Sequence, residues 1–193
     1  MYKDKSINRQ AVNNGIIDTI IETLHSRSPI EKQHSFNVSY VCAKIGTAMN
    51  LSEAEISKLG RAGYLHDIGK IVLDDSLLSA EFINEDELDV IRQHALVGYR
   101  ILNLFDDTVD LAEYVYNHHE RWDGTGYPRG LKGAQIPLAS RIISIVETYD
   151  RILNRGDKPV DKRKADAVET INRAAGTQFD PLLTKLLSEV IEE

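Results

Sequence analysis

The stretch 118–128, HHERWDGTGYP, is the segment from which the fold and the site of this chain are best inferred. Two adjacent histidines, His118 and His119, run into a turn that is rich in glycine and ends in Tyr-Pro. Such a segment is poorly suited to core packing, because imidazoles and glycines bury little apolar surface. An earlier segment, 66–70, reads HDIGK and supplies a His-Asp pair. Together the two segments predict a site made of histidines and a carboxylate.

The composition predicts one globular domain and excludes several classes of protein. The 193 residues are 42% hydrophobic and 27% charged, which is enough for a single buried core. The formal net charge of −7 disfavours binding to DNA or RNA polymers. Cys42 is the single cysteine, so we expect it to be a small buried side chain and neither a disulfide partner nor part of a thiolate-rich zinc cluster. The sequence shows no signal-like leader and no apolar run of about 20 residues, which predicts a cytoplasmic protein that does not cross a membrane.

Apolar residues recur at helical spacing along most of the chain, and this pattern predicts an all-α fold without strands. A polar tail at 1–10 precedes the first amphipathic helix, and residues 11–193 form the single domain. Ser52 and Asn84 each begin a capping box that opens a helix. The segment 138–153 is nearly all apolar, which is typical of a central helix with several neighbours. We expect a compact helical bundle that carries the site in its core.

Five of the six histidines fall on predicted inward-facing helix surfaces or at helix ends, and His25 is the exception. A lone histidine on a helix is usually a hydrogen-bonded core or surface residue, and the pair at 118–119 alone is compatible with a solvated helix end beside Trp122. The joint pattern favours a metal centre, because each uncompensated buried polar group costs about 1 to 3 kcal/mol. A shell of nitrogen and oxygen ligands without sulfur suits Fe, Mn or Zn. The candidate ligands are His34, His66, Asp67, His94, His118, His119 and Glu147.

The motifs at 66–70 and 118–128 resemble the two name-giving motifs of the HD-GYP family, a branch of the HD metal-dependent phosphohydrolases. The resemblance extends from about residue 24 to residue 193, and motifs of this length in this order are highly specific. It implies the compact all-α bundle of the HD superfamily. The further matching segments are His34-Ser35, Gln93-His94 with Gly98, Ile136-Pro137-Leu138 and the run 176–181.

The resemblance implies a binuclear metal centre in the helix core. The ligands that it implies for the first ion are His34, His66 and Glu147. Those for the second ion are His94, His118 and His119, and Asp67 bridges the two. The implied cofactors are two divalent ions, Fe or Mn, with Zn as a further option.

The resemblance also implies a reaction. Members of the family typically hydrolyse cyclic di-GMP to linear pGpG or onward to GMP, and some act on related cyclic dinucleotides. A metal-bridged hydroxide would attack phosphorus beside the catalytic carboxylate Asp67, and Lys70 would contact the phosphate and stabilise the developing charge. Gly126 and Tyr127 would shape the substrate pocket, with Lys158 at its rim.

Three positions depart from the family's pattern. Glu147 replaces the usual aspartate, in the run Val-Glu-Thr-Tyr-Asp-Arg-Ile where Ala-Asp-x-Tyr-Asp-Ala-Leu is typical. Ile30 stands where trinuclear members carry a glutamate, and the adjacent Glu31 is expected to point about 100° away on the helix, which favours two metals. Lys158 opens Lys-Pro-Val in a predicted loop at 155–164, where Arg-Pro-Tyr is usual, and lysine lacks the planar fork of arginine.

These departures leave three functions open. The leading hypothesis is a phosphodiesterase for a cyclic dinucleotide, and the second is a phosphohydrolase for another nucleotide with a pocket reshaped by the altered Lys158 loop. The third is a module that senses a ligand or binds a protein and has lost turnover. A signalling-protein partner also stays open, as does a homodimer, because the apolar face of the first helix, from Val12 to Leu24, fits either a dimer seam or core.

Overall fold

The computed structural model describes residues 2–80, 84–154 and 156–192, with side chains from residue 15 onward. Within these ranges the chain forms nine α-helices, two short 3₁₀ helices at Ile68–Val72 and Gly133–Gln135, and one isolated β-bridge. The all-α prediction is therefore confirmed. In chain order the helices are α1 (Tyr2–Arg27), α2 (Pro29–Ala48), α3 (Glu53–Leu65), α4 (Asp75–Leu78), α5 (Glu85–Leu102), α6 (Val109–Tyr116), α7 (Leu138–Asn154), α8 (Val160–Arg173) and α9 (Pro181–Glu192).

Helix α7 is the centre of the bundle. It contacts α2, α3, α6, α8 and α9. Four consecutive turns of apolar side chains give it buried faces on several sides, and Ile142, Ile143, Ile145 and Val146 have no exposed surface. A helix that is apolar nearly all round needs neighbours all round, so the nearly continuous apolar sequence of this segment predicted its place correctly.

The first helix packs against the chain's own core. Ile17, Ile21 and Leu24 recur at intervals of four and three residues and are at most 1% exposed. The helix begins at Tyr2, so residues 2–10, which we predicted to be a polar tail, are helical. The segment lacks an apolar period, but it contains no glycine or proline that would interrupt the helix.

Helix termini follow the predicted caps at two places. Ser52 and Asn84 each accept a hydrogen bond from the backbone N–H three residues on, and Glu55 and Glu87 accept one from the respective cap N–H. These capping boxes satisfy donors that would otherwise lack partners at the starts of α3 and α5. Helix α5 carries His94 and α3 leads directly into His66, so the caps help to fix the site.

The end of α6 and the start of α8 decide where several of the predicted site residues lie. Helix α6 ends at Tyr116, so His118 and His119 lie in the turn after it, where Asn117 bonds back to the Glu113 carbonyl oxygen and competes with further helix. Helix α8 begins at Val160, inside the segment 155–164 that we predicted to be loop, because Pro159 has the fixed φ that suits a helix start.

A short helix, α4, lies between the HDIGK segment and α5, and residues 81–83 lie outside the described residues. Cys42 is fully buried, as expected. Among the helices that the structure describes, none combines the length and the apolar character needed to cross a bilayer.

Candidate metal centre

Six side chains that are distant in sequence form two groups in the core. In each group, one ligand atom from every member lies within 4.8 Å of the others. We call them the first group and the second group. The first group consists of His34, His66 and Asp67, and the second group consists of His94, His118 and His119. This division reproduces the predicted pairing of the histidines, and five of the six residues are buried.

Four of the imidazoles are held by hydrogen bonds from Nδ1. An acceptor at this nitrogen fixes the proton there and turns the Nε2 lone pair toward the interior of the site. The acceptors are the Asp150 carboxylate for His34, at 2.6 Å, and the backbone oxygens of Gly63, Ile91 and Val115 for His66, His94 and His118. Each of the three backbone acceptors lies three residues before its histidine, so the local helix geometry itself orients the ring.

The atoms left facing inward fit divalent ions. In the first group, His34 Nε2 and His66 Nε2 are buried without a hydrogen-bond partner, as is Asp67 Oδ1, the oxygen that faces His94. In the second group, His94 Nε2 lies 3.3 Å from His118 Nε2 and 3.1 Å from His119 Nε2. Nitrogen lone pairs this close are compatible with a cation between them, and a buried unpaired acceptor is costly without one.

The protonation of the histidines also suits ligation, which requires neutral imidazole. Burial lowers the pKa of His119 to about 3 and holds the pKa of His118 well below its usual range. Burial likewise lowers the pKa of His34 and of His94. His66 differs, because the adjacent carboxylate outweighs the effect of burial and raises its pKa.

Asp67 lies between the two groups. Its Oδ1 is 3.3 Å from His94 Nε2, and its Oδ2 is 3.1 Å from His66 Nε2. Burial alone would raise the pKa of this carboxyl, but the neighbouring charges of His66 and Lys70 hold it well below its usual range. A carboxylate with one oxygen toward each group has the geometry expected of a bridging ligand.

Glu147 lies elsewhere than the resemblance implied. Its Oε2 is 4.0 Å from His118 Nε2 and from His119 Nδ1, so its carboxylate adjoins the second group rather than the first. Its Oε1 accepts a hydrogen bond from Arg151 Nε at 3.0 Å. The longer side chain of glutamate and this contact with the next turn of α7 account for the displacement.

Arg151 is the main feature of the site that we did not predict. Its Nη2 donates to Asp67 Oδ2 at 3.0 Å, in addition to the bond from its Nε to Glu147. Burial alone would lower the pKa of the guanidinium, but the nearby Glu147, Asp67 and Glu31 carboxylates raise it. A sequence signal was present, since arginine stands in α7 where the family run has alanine, four residues after Glu147.

Glu31 also faces the site, which corrects the expectation that it would point away. Its two carboxylate oxygens accept hydrogen bonds from Lys70 Nζ, each at 3.0 Å, and it is 6% exposed. Ile30 instead faces solvent with 74% exposure. Residues three and four positions before His34 flank it by about 60° and 40° on the helix, so either position can point inward.

A cavity of about 240 Å³ opens over the second group. Lys70, Tyr127 and Arg151 contribute polar groups to its wall, beside His94, His119 and Glu147, and Leu73, Leu77 and Ile91 contribute apolar ones. The Tyr127 ring stacks on His119 with 4.8 Å between centroids, and burial raises the pKa of its hydroxyl. The cavity therefore places the candidate metal ligands beside cationic groups that could bind a phosphate and beside an aromatic ring that could stack on a base.

The loop after α6 is held by backbone contacts. Gly126 has no room for a side chain, because a Cβ atom would lie 2.3 Å from the Arg121 nitrogen and 2.6 Å from the His119 oxygen. The buried Glu120 carboxylate accepts from the backbone N–H groups of Arg129 and Leu131. The predicted role of Gly126 at the pocket is therefore indirect, since it sets the positions of its neighbours.

Two further side chains lie apart from both groups. Lys158 is 58% exposed and pairs with Asp166 at 2.5 Å, and it does not line the cavity over the second group. His25, which we did not expect to face inward, is 5% exposed and bonds to Ser35 Oγ at 3.2 Å. It is a core histidine with a hydrogen-bond partner.

Comparison with known proteins identifies the family. The family model described as HD domain matches residues 18–183. The chain belongs to the HD domain family. The resemblance predicted from the HDIGK and HHERWDGTGYP motifs is thereby confirmed. All six residues of the two groups lie inside the matched range.

Several relatives of this HD domain are known. A cyclic di-GMP phosphodiesterase from Thermotoga maritima is 31% identical over 83% of this chain and 45% of its own length. A 3'3'-cGAMP-specific phosphodiesterase 3 from Vibrio cholerae is 31% identical over 92% of this chain and 40% of its own length. The chain thus spans less than half the length of these two relatives. A solved structure of an HDG"Y"P protein from Bdellovibrio bacteriovorus shares the fold, with a TM-score of 0.69 at 17% identity over 95% of this chain and 62% of that one.

Proposed function

We propose that this HD domain is a metal-dependent phosphodiesterase that opens a cyclic dinucleotide. The observation that carries the proposal is the pair of groups, in which five histidines are arranged about the shared carboxylate of Asp67. The relatives act on cyclic di-GMP or on cGAMP by name, which supports this substrate class.

The first group and the second group would each hold one divalent ion, with Asp67 between them. When bound, such a pair activates water as a nucleophile and screens the charge of a phosphate. Fe and Mn suit this nitrogen and oxygen shell, and Zn accepts it as well. Glu147 would complete the second group from the cavity side.

The chain's own residues would bind and orient the substrate. Lys70 Nζ, on the wall of the cavity, is placed to contact a nonbridging phosphate oxygen once it exchanges one of its carboxylate partners. Preformed donors of this kind stabilise charge that develops during phosphoryl transfer. The Tyr127 ring offers a flat apolar face for a base or ribose at the same cavity.

The apolar part of the cavity would keep bulk water from the reacting phosphate. Leu73, Leu77 and Ile91 line it together with the histidines. Exclusion of water strengthens the electrostatic contacts inside a site. The cavity of about 240 Å³ is smaller than typical ligand pockets, so we expect it to hold one phosphate with its neighbouring nucleoside rather than the whole ring.

The test is a hydrolysis assay on protein that is prepared without oxygen, loaded with Fe²⁺ or Mn²⁺ and analysed for metal. Cyclic di-GMP, 3'3'-cGAMP and cyclic di-AMP are supplied with a panel of nucleoside monophosphates, and products are separated by chromatography. We expect a linear dinucleotide from at least one cyclic substrate, and no product from the Asp67→Asn variant. Release of phosphate from a monophosphate would instead favour a phosphohydrolase for another nucleotide.

Absence of turnover with full metal sites would contradict the proposal. Tight binding of a cyclic dinucleotide without product would favour the ligand-sensing alternative. In that case Glu147→Asp, which restores the usual residue of the family, should produce activity.

A further inference from the structure

The two oxygens of Asp67 have different surroundings. Oδ1 faces His94 Nε2 at 3.3 Å and accepts no hydrogen bond. Oδ2 lies 2.7 Å from Lys70 Nζ and 3.0 Å from Arg151 Nη2. The oxygen that faces the first group is thus already shared by two cationic side chains, whereas the oxygen that faces the second group is free to bind.

Arg151 is fixed by carboxylates on more than one side. Besides Asp67, its Nε bonds to Glu147 Oε1 at 3.0 Å, and its Nη1 lies 4.0 Å from Glu31 Oε1. Lys70 bonds to Glu31 and Asp67. Three carboxylates therefore face two cationic side chains, and most of their charge is balanced before any metal ion binds.

A divalent ion at the first group would need the oxygen that Arg151 holds. Ligation places a metal about 2.0 to 2.2 Å from a carboxylate oxygen, and the guanidinium would then stand beside a doubly charged ion in a poorly solvated interior. Like charges at such distances repel strongly where the effective dielectric constant is low. The second group has no such competitor at Asp67 Oδ1.

We propose that Arg151 is an internal cation that controls metal occupancy of the first group. An ion binds the second group directly, whereas an ion binds the first group only when the guanidinium withdraws from Asp67. This inference rests on the proposed function only in requiring that the two groups bind divalent ions.

The structure provides space for the withdrawal. A second cavity, of about 310 Å³, shares Arg151 and Glu31 with the cavity over the second group but is otherwise lined by other residues. Gln33, Asn37 and Asn154 supply polar groups to its wall. A guanidinium that leaves Asp67 can therefore find solvent and polar partners without unfolding of α7.

The test is a titration of metal-free protein with Mn²⁺ alone, followed by calorimetry and by electron paramagnetic resonance of free and bound Mn²⁺. We expect the wild-type protein to bind two ions with well separated affinities. In Arg151→Met, which keeps a long apolar side chain, the weaker affinity should tighten on the order of 10- to 100-fold, the range typical of changes next to metal ligands. The spectrum of a coupled Mn pair should then appear at fewer equivalents of metal.

Arg173→Met is the matched control. It removes the same charge from an arginine that is 73% exposed on α8, and both affinities should stay at wild-type values. Arg151→Ala is a second variant, and circular dichroism shows whether each variant keeps its helices. If the more weakly bound ion binds with unchanged or lower affinity in both Arg151 variants, the proposal is overturned.

Failure of the proposed function would look different. If none of the proteins binds Mn²⁺, the metal centre itself is refuted and Arg151 has no metal to control. If Arg151→Met binds the ion at the first group more tightly but hydrolyses no cyclic dinucleotide, the role of Arg151 is supported and the proposed substrate class is contradicted.

Discussion

The first and second groups contain similar ligands but differ in the charges around them. The second group is three imidazoles beside an open cavity, with Asp67 Oδ1 at 3.3 Å from His94 Nε2 and Glu147 Oε2 at 4.0 Å from His118 Nε2 and His119 Nδ1. In the first group, Lys70 and Arg151 both contact Asp67 Oδ2. The Asp150 carboxylate accepts a hydrogen bond from His34 Nδ1. Ligand identity thus defines where ions can bind, whereas the neighbouring cations decide how readily each position is filled.

The largest expected effect comes from the residue that the two groups share. Asp67→Asn keeps the shape of the side chain but removes the charge that faces both groups. We expect binding of both ions to weaken and hydrolysis to fall by on the order of 1,000-fold or more, because charge stabilisation by the ions is the main catalytic contribution. Metal analysis and an assay of the same preparation measure both effects. Retention of both ions by this variant would show that Asp67 is not a bridging ligand.

A smaller effect should separate the two groups. His118→Ala removes a ligand of the second group, and we expect it to abolish the tighter of the two binding steps. His34→Ala removes a ligand of the first group and should abolish only the weaker step. Each should lower activity by on the order of 100-fold or more, because the loss of a group that stabilises transition-state charge typically has an effect of this size. The same loss of affinity at the same step from both variants would remove the distinction between the groups.

The distance between the groups depends on how closely the HDIGK turn packs on α5. A Cβ atom on Gly69 would lie 2.0 Å from the His94 oxygen and 2.5 Å from the Gly98 nitrogen. Gly69→Ala should therefore push the first group away from His94 and destabilise the fold by about 1 to 3 kcal/mol, as overpacking does. Denaturant unfolding measures the loss.

Gly15→Ala is the control for this substitution, because nothing lies within 4 Å of the added atom in α1. Alanine favours a helix over glycine by about 0.8 to 1 kcal/mol, so we expect Gly15→Ala to be neutral or stabilising. Equal stability of the two variants would show that the close packing at Gly69 is not essential.

The groups should also differ in their response to pH. Burial lowers the pKa of all three histidines of the second group, to about 3 for His119, whereas in the first group the pKa of His34 is lowered and that of His66 is raised. Between a folded pKa of about 3 and the usual 6.5, the unfolded chain binds a proton that the folded chain does not. The stability of the metal-free protein should therefore fall as pH drops below about 6.5, by up to about 1.4 kcal/mol per pH unit for each such histidine.

The variants His119→Gln and His34→Gln assign this effect to a group. In the presence of a chelator, unfolding free energies are measured across this pH range. Each glutamine removes one histidine with a lowered pKa and should make the pH slope shallower. After His119→Gln the remaining slope should come from His34, His94 and His118, and after His34→Gln from the three histidines of the second group. A slope of opposite sign in the wild-type protein would contradict the burial of neutral imidazoles.

Much of this arrangement could be predicted from the sequence because it depends on local spacing. The capping boxes at Ser52 and Asn84 and the central place of α7 follow from local spacing and helical periodicity. The division of the histidines into two groups was implied by the resemblance to the HD-GYP family. The inward direction of Glu31 could not be settled in this way, since positions three and four residues before His34 both flank its face.

The role of Arg151 depended on contacts that spacing does not reveal. Its bond to Glu147 connects successive turns of one helix, but its bond to Asp67 joins residues that are 84 positions apart. The start of α8 at Val160 was missed for a simpler reason, because its first turn is polar and shows no apolar period. Lys158, two residues before the start of α8, pairs with Asp166 on that helix.

The central claim is that the two groups hold divalent ions on either side of Asp67, and anomalous diffraction from crystals soaked in Mn²⁺ tests it most directly. We expect one strong peak among the Nε2 atoms of His94, His118 and His119. A weaker peak should lie between His34, His66 and Asp67, and it should strengthen in Arg151→Met. Absence of a peak from both groups in crystals that contain Mn²⁺ elsewhere would contradict the account.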